Sequence, residues 1–258
     1  MNSNIRTIIL LIPLILVACT FSHSKLEAET CEEPGTIESD HVAHPTQGFD
    51  ISFQYYLPPC YAKQTNAHFP VIYLITMPDE SQLSSNDNTP MSLANRLIHA
   101  KKMPPAIIIV PTDTVAQGYH AALAIDLVAY IDEKFNTIQD PHYRGVGGIS
   151  HGGGIATRMA LQFPNVFGSL GVLSGGIAEG EKQTVADWIA STPTPNLPRL
   201  RIDVGAQDGI MPLTQNLIEI LDDNHIPYVL NIEPGIHDWE FWSARMESYL
   251  LWFAESWK

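Results

Sequence analysis

The chain contains 258 residues, 45% of them hydrophobic, and carries a net charge of −14 with only 14 Lys and Arg. Because nucleic-acid binding requires clustered cations that neutralise phosphates, this balance argues against nucleic acid as a partner. It also disfavours a strongly anionic polymer as the substrate, although a small acid could still meet a local cation.

Residues 1–18 have the pattern of a signal peptide. A short polar start precedes an apolar run that Pro13 interrupts and that is too short to span a bilayer comfortably. The Leu-Val-Ala-Cys sequence ending at Cys19 resembles the lipobox of bacterial lipoproteins, in which the cysteine is acylated and begins the mature chain. We therefore predict export to the bacterial cell envelope and membrane attachment through Cys19, with residues 19–30 as a tether. Cleavage elsewhere, giving a periplasmic or secreted protein, is the alternative.

Residues 31–258 are predicted to form one domain, because about 230 residues are enough for a single sizeable core. Strand-like and helix-like segments alternate from Gly35 onward, which predicts an α/β fold with a mostly parallel central sheet and helices on both faces. The predicted strands are 36–44 and 48–57, paired as a hairpin, then 69–76, 106–110, 146–149, 167–173, 199–204 and 228–232. The predicted helices are 91–100, 119–135, 155–163, 186–191, 213–224 and 239–256.

Three cysteines are too few for a disulfide-rich scaffold. If Cys19 is lipidated, Cys31 and Cys60 remain. In an exported protein these two could form a disulfide that joins the start of the domain to the end of an early strand. Two free, buried thiols are the alternative.

The segment 144–154 is the most informative part of the chain. It contains Gly-Ile-Ser-His-Gly at residues 148–152, after a short apolar run and before a segment with helical spacing. This context is typical of a nucleophile elbow, a turn so tight that its flanking positions favour glycine. Ser150, at the carboxyl end of a predicted parallel strand, is therefore a candidate nucleophile. The pentapeptide alone would also fit a glycine-rich loop that happens to contain a serine.

A serine nucleophile needs a histidine base, and three histidines follow Ser150. His151 adjoins the nucleophile and should point away from it, so it would line the pocket or pack locally. His225 lies in a turn before a proline, where a polar residue needs no special role. His237 lies between the last predicted strand and the terminal helix, where the order serine, acid, histidine places the base. We predict His237 as the base.

The base needs an acidic partner, which we predict to be Asp208. This residue directly follows a predicted strand, so its carboxylate can reach across the strand ends. Asp203 lies inside that strand and should face the wrong layer, and Asp238 adjoins the base too closely to align with it. The aspartates at 222 and 223 close a helix and should be solvated.

These residues resemble the esterase D and feruloyl or enterochelin esterase group of α/β hydrolases. The resemblance implies an α/β-hydrolase fold, a serine esterase activity, and Ser150, Asp208 and His237 as nucleophile, acid and base. It also implies that the backbone N–H of His151 is one oxyanion donor. The matching segments are Tyr-Leu-Pro-Pro-Cys-Tyr at 56–61, the apolar run 69–74, and the segments 128–137, 147–153, 205–208 and 235–239.

The second oxyanion donor is the point at which this chain departs from the group. The group commonly carries His-Gly or Asp-Gly after the strand at 69–74, followed by the residue that donates the second N–H. Here Thr76 and Met77 precede Pro78, and a proline has no N–H to donate. Two outcomes are open: the donor is lost, which would lower turnover by a factor on the order of 10²–10³, or the loop shifts register and Met77 or Asp79 supplies the amide.

The predicted activity is hydrolysis of a small-molecule or saccharide-linked carboxylic ester, without metal or cofactor. No Cys or carboxylate cluster supports a metal site, and the glycines at 147–154 lack the lysine of a phosphate-binding loop. Thr76 and Trp239 are predicted to line the substrate pocket, whereas Trp242 is predicted to pack in the core. Two alternatives stay open: acyl transfer to an alcohol, as in the related mycolyltransferases, and a hydrolase-fold lipoprotein that binds a ligand without turnover. Oligomeric state is not predicted.

Overall fold

An eight-stranded sheet forms the centre of the protein. The computed structural model describes residues 33–43, 50–76, 89–112 and 119–257. The strand order is β1-β2-β4-β3-β5-β6-β7-β8; β2 runs antiparallel to β1 and β4, and all other neighbours are parallel. The strands are β1 (Thr36–Ala43), β2 (Asp50–Leu57), β3 (Val71–Ile75), β4 (Ile107–Pro111), β5 (Arg144–Ile149), β6 (Ser169–Leu173), β7 (Arg199–Gly205) and β8 (Tyr228–Glu233).

Helices cover both faces of this sheet, which confirms the predicted mostly parallel α/β architecture. Helices α1 and α7 pack on one face, and α2 to α6 pack on the other. The helices are α1 (Pro90–His99), α2 (Tyr119–Ala122), α3 (Val128–Lys134), α4 (His151–Gln162), α5 (Lys182–Ser191), α6 (Met211–Asp223) and α7 (Trp239–Glu255).

The predicted helix at 119–135 differs from the structure in one respect. A π-helical segment, Leu123–Leu127, separates α2 from α3. A π turn contains one residue more than an α turn, and such a change is invisible in a pattern of apolar residues. Leu123 and Leu127 are both fully buried in it, whereas Ile125 is exposed.

The central strands are buried on both faces, as their continuous apolar runs predict. In β3, Ile72 and Leu74 contact the α1 and α7 layer, while Tyr73 and Ile75 contact the opposite layer. The parallel strands β3 to β8 all end at the same edge of the sheet. Residues that directly follow these strands are therefore brought together, and both Ser150 and Asp208 are among the residues at this edge.

The predictions for the N-terminal region fall outside the described residues. These are the signal peptide, Cys19, the tether and Cys31. Cys60 is disulfide-bonded, and its pairing with Cys31 stays a prediction. Within the part of the chain that the structure describes, no helix combines the length and apolarity needed to cross a membrane.

Candidate active site

Ser150 lies at a sharp turn between β5 and α4. Its backbone has φ 55° and ψ −123°, a conformation that residues other than glycine rarely adopt. A Cβ on Gly148 would lie 2.2 Å from the Gly152 carbonyl carbon, and a Cβ on Gly152 would lie 2.1 Å from the Ile75 carbonyl oxygen. Both flanking positions therefore require glycine, and the turn has the geometry of the predicted nucleophile elbow.

Two backbone hydrogen bonds hold this strained turn in place. The N–H of Ser150 donates to the Leu173 carbonyl at 2.9 Å, which ties the turn to the end of β6. The N–H of Gly153 donates to the Ser150 carbonyl at 3.0 Å, which begins α4. The strand below and the helix above thus fix the serine, and its side chain does not cap the helix.

The structure brings Ser150, His237 and Asp208 into one hydrogen-bonded chain. The Ser150 Oγ lies 2.8 Å from His237 Nε2, and His237 Nδ1 lies 2.9 and 3.1 Å from the two carboxylate oxygens of Asp208. An ionised carboxylate only accepts hydrogen bonds, so Nδ1 carries the proton and donates it. Nε2 is then the unprotonated nitrogen that accepts from the serine hydroxyl.

The Asp208 carboxylate is completely buried, and the His237 side chain is 32% exposed. The Oδ1 atom of Asp208 also accepts a hydrogen bond from the backbone N–H of Ile210 at 2.9 Å. A buried carboxylate requires such partners, since an unpaired charge away from water is costly. The two contacts fix the orientation of the carboxylate toward the imidazole.

The other aspartates near His237 have structural roles. Asp203 is buried and binds the Arg201 guanidinium at 2.7 and 2.9 Å and the Asn231 amide at 2.9 Å. Asp238 begins α7, where its carboxylate accepts from the N–H of Phe241 at 2.9 Å. Neither carboxylate is hydrogen-bonded to the imidazole.

Gln207 joins the loops of the acid and the base, a role that the sequence analysis missed. Its side-chain oxygen accepts from the N–H of Gly235 at 3.0 Å, and its own N–H donates to the Gly235 carbonyl at 3.0 Å. Gln207 directly precedes Asp208, and Gly235 lies two residues before His237. This reciprocal pair therefore sets the spacing between the carboxylate and the imidazole.

Trp242 contacts the imidazole face to edge, in addition to the core packing predicted for it. The ring centroids of Trp242 and His237 are 4.9 Å apart, with an interplanar angle of 88°. Trp242 is 8% exposed and also belongs to the core between α1 and α7. Trp239 is partly exposed and packs against that same core, so its predicted place in the pocket stays a prediction. The only signal of the Trp242 contact in the sequence is the position of Trp242, three residues after Trp239 and on the first turns of α7.

We expect Trp242→Leu to lower kcat about 10- to 100-fold, because a misplaced base loses its alignment with the serine. KM should change little, since the contact is to His237. Steady-state kinetics on a p-nitrophenyl ester measures both constants. Trp252→Leu is the matched control: Trp252 lies on the same helix, is 5% exposed and contacts Phe253. Both variants should lose stability, by less than the about 3–5 kcal/mol of a Trp→Ala replacement. Equal kinetic loss in both would contradict a positioning role for Trp242.

The backbone N–H of His151, the predicted oxyanion donor, directly follows Ser150 at the start of α4. His151 is the first residue of α4, so its backbone N–H has no partner within the helix and projects from the helix N-terminus. This is the positive end of the helix dipole. The His151 side chain is exposed. Thr76 is buried directly after β3. Met77, Pro78 and Asp79 lie outside the described residues, so the second oxyanion donor stays a prediction.

Among the residues that the structure describes, no group of three or more His, Cys, Asp or Glu side chains could hold a metal ion. The polar groups that converge on Ser150 are instead those of an acid–base pair. The arrangement can deprotonate the serine hydroxyl during attack on a carbonyl carbon and return the proton to a leaving group.

Comparisons with known proteins agree with this geometry. A family model described as "Esterase: Putative esterase" matches residues 45–253. Uncharacterized protein YbbA of Bacillus subtilis is 26% identical over 181 residues, which are 61% of this chain and 68% of that protein. A solved structure titled "ferulic acid esterase" has a TM-score of 0.75 at 17% identity and covers 88% of this chain and 100% of its own.

The same fold occurs in an S-formylglutathione hydrolase (FrmB) from Staphylococcus aureus, with a TM-score of 0.65 at 17% identity, covering 87% of this chain and 99% of that one. These likenesses confirm the predicted α/β-hydrolase fold. The family model spans most of the chain, including all three residues of the hydrogen-bonded chain. This protein therefore belongs to the Esterase family and is a carboxylic ester hydrolase with the α/β-hydrolase fold.

Proposed function

We propose that the protein hydrolyses its ester in two steps through an acyl-enzyme on Ser150. The observation that carries this proposal is the unbroken hydrogen-bonded chain from Ser150 through His237 to the buried Asp208. A serine hydroxyl is a weak nucleophile without a base, and a base needs a fixed tautomer to accept its proton. The hydrogen-bonded chain supplies both, because His237 is the base and Asp208 fixes its tautomer.

In the first step the Ser150 Oγ attacks the carbonyl carbon while His237 Nε2 takes the hydroxyl proton. The resulting imidazolium is stabilised by Asp208, which stays ionised. The tetrahedral intermediate then collapses, Nε2 gives the proton to the leaving alcohol oxygen, and the acyl group stays on Oγ. In the second step His237 takes a proton from water, water attacks the acyl carbon, and the acid leaves as Oγ regains a proton.

The negative charge on the former carbonyl oxygen requires donors in place before the reaction begins. The N–H of His151 at the start of α4 is one such donor, supported by the helix dipole. We propose that Met77 or Asp79 supplies the second donor, because both closely follow Thr76, which is buried directly after β3. The end of β3 itself lies against the elbow, since only a glycine at position 152 fits against the Ile75 carbonyl.

We expect the loops, rather than the fold, to determine the specificity for the acyl and alcohol groups of the substrate. The solved structures with this fold include proteins titled as a ferulic acid esterase and as an S-formylglutathione hydrolase. We propose a small-molecule or saccharide-linked ester, of the feruloyl or enterochelin esterase type. The net charge of −14 favours an ester without a polyanionic backbone.

Trapping the acyl-enzyme tests the proposal. Rapid mixing with a p-nitrophenyl ester should release a burst of p-nitrophenolate, and acid quenching should leave the acyl mass on the peptide that contains Ser150. A fluorophosphonate probe should label the same residue in the wild type but not in His237→Ala, because an unactivated serine reacts slowly. Label on another residue, or turnover with neither burst nor adduct, would sink the mechanism.

We further propose that the protein is exported and lipid-anchored through Cys19. The support is the Leu-Val-Ala-Cys sequence that follows the apolar signal. Cys19→Ser should abolish incorporation of radiolabelled palmitate in cells and prevent membrane attachment. Cys31→Ser is the matched control and should keep the label; retention of palmitate in Cys19→Ser would contradict the anchor.

A further inference from the structure

The two edge strands of the sheet differ in chemistry. At one edge, β8 exposes large apolar side chains on both faces: Val229 is 47% exposed, Leu230 37% and Ile232 50%. Among the described residues it pairs with β7 on one side only, so its outer backbone N–H and C=O groups form no ladder with any other described strand. Exposed, apolar edge strands of this kind are templates for pairing with another strand.

The strand at the opposite edge, β1, has side chains that oppose pairing with another chain. Strand β1 carries the ionisable residues Glu38, Asp40 and His41. Charged side chains on an edge strand oppose pairing with another chain. Strand β8 carries a single charged residue, Glu233, at its last position, and Arg245 on α7 binds that carboxylate. The centre of β8 is therefore free of charge, unlike that of β1.

We propose that β8 pairs antiparallel with β8 of a second copy of this chain, so that two sheets join into one. A two-fold axis perpendicular to the sheet keeps each face of one copy on the same face of the joined sheet. Residues of the same face must then lie opposite each other, which centres the pair on a residue rather than between two. Centring on Leu230 sets Tyr228 opposite Ile232 and Val229 opposite Asn231.

This register groups the side chains by chemistry. Tyr228, Leu230 and Ile232 from both copies form a continuous apolar ladder on the α6 face, where Tyr228 contacts Asp222. Val229 and Asn231 lie on the α7 face, where Asn231 binds the buried Asp203. Apolar pairs directly opposite each other stabilise an antiparallel ladder by a few tenths to about 1 kcal/mol each.

A second copy fits this edge because the strand complements itself without opposing like charges. In this register Glu233 lies opposite Pro227, so the two Glu233 carboxylates stay at opposite ends of the pair. Every chain here carries a net charge of −14, which opposes association wherever acidic groups meet. The uncharged centre of β8 avoids that repulsion. A pair of six-residue strands buries less than the ~800 Å² per partner of a standard interface, so the dimer is expected to be concentration-dependent.

Charge substitutions at Leu230 test this pairing. Sedimentation velocity of the purified protein from about 1 to about 100 µM should show a reversible monomer–dimer equilibrium. Leu230→Lys and Leu230→Glu should each be monomeric over that range, since each opposes two like charges at the two-fold axis. An equimolar mixture of the two variants should dimerise again, because Lys then faces Glu.

The matched control is Ile37→Lys on β1, whose native side chain is 49% exposed, as on β8. It should dimerise like the wild type. Retained esterase activity and an unchanged melting temperature would show that each variant is folded, since Leu230 lies away from the hydrogen-bonded chain. A monomeric wild type, dimeric single variants at Leu230, or folded variants that fail to associate when mixed would each overturn the self-paired β8 edge.

Discussion

Replacing Ser150 with alanine should lower kcat by about a millionfold, to the level left by binding and the oxyanion donors. The reason is that, in the proposed mechanism, Oγ is the atom that forms the bond to the acyl carbon. The variant should fold normally, because the Ser150 side chain does not cap α4 and the turn is held by backbone hydrogen bonds. The assay is steady-state and single-turnover hydrolysis of a p-nitrophenyl ester.

Ser174 provides a matched control for this substitution. It directly follows β6 as Ser150 follows β5, and it also has a left-handed backbone with φ 48°. Its buried hydroxyl forms no hydrogen bond with any described residue. Ser174→Ala should keep kcat within about threefold of the wild type, since it removes no bond to the imidazole. An unchanged burst amplitude in Ser150→Ala, or equal losses in the two variants, would show that Ser150 is not the nucleophile.

Replacing Asp208 with asparagine should lower kcat about 10⁴-fold while leaving KM nearly unchanged. The asparagine amide can donate to Nδ1, which favours the tautomer with its proton on Nε2, and that nitrogen then cannot accept from Ser150. The developing imidazolium also loses its carboxylate. Because the buried carboxylate accepts from Ile210, the amide oxygen can keep that bond and the fold should persist.

Asp238→Asn is the control for the loss of a carboxylate beside the base. Asp238 caps α7, and asparagine is an equally good cap, so stability and kcat should both be retained. The pH dependence of kcat/KM and the melting temperature should be measured for both variants. If Asp208→Asn kept full activity and Asp238→Asn were inactive, the assignment of Asp208 as the acid would be wrong.

The architecture could be predicted from the chain because its signals are local. The apolar runs at 69–74 and 106–110 are too continuous for half-exposed strands, and they form the fully buried β3 and β4. The boundaries shift by one or two residues, since Phe69 makes only an isolated bridge to Thr137 before β3 begins. The Gly-x-Ser-x-Gly pattern of the elbow is likewise local, although the contact that requires glycine at 152 is with Ile75 on β3, far away in the sequence.

Ser150, Asp208 and His237 could also be selected from the chain, because each directly follows a predicted strand or precedes a predicted helix. Strand ends converge in a parallel sheet, so position along the sequence is enough to bring such residues to one edge. Their hydrogen-bond distances are a different matter. The 2.8 and 2.9 Å contacts depend on how the loops after β7 and β8 are held together, and the Gln207 pair with Gly235 joins these loops.

What the chain alone determined is therefore the order of strands and helices, the turn at Ser150 and the candidate acid and base. Only the tertiary structure decided that Trp242 contacts the imidazole, that Gln207 joins the two loops, and that β8 is an exposed apolar edge. These features depend on packing between segments distant in sequence. Periodicity indicates which residues are apolar, but it cannot indicate which neighbour covers them, and in the part of the chain that the structure describes β8 has a neighbouring strand on one side only.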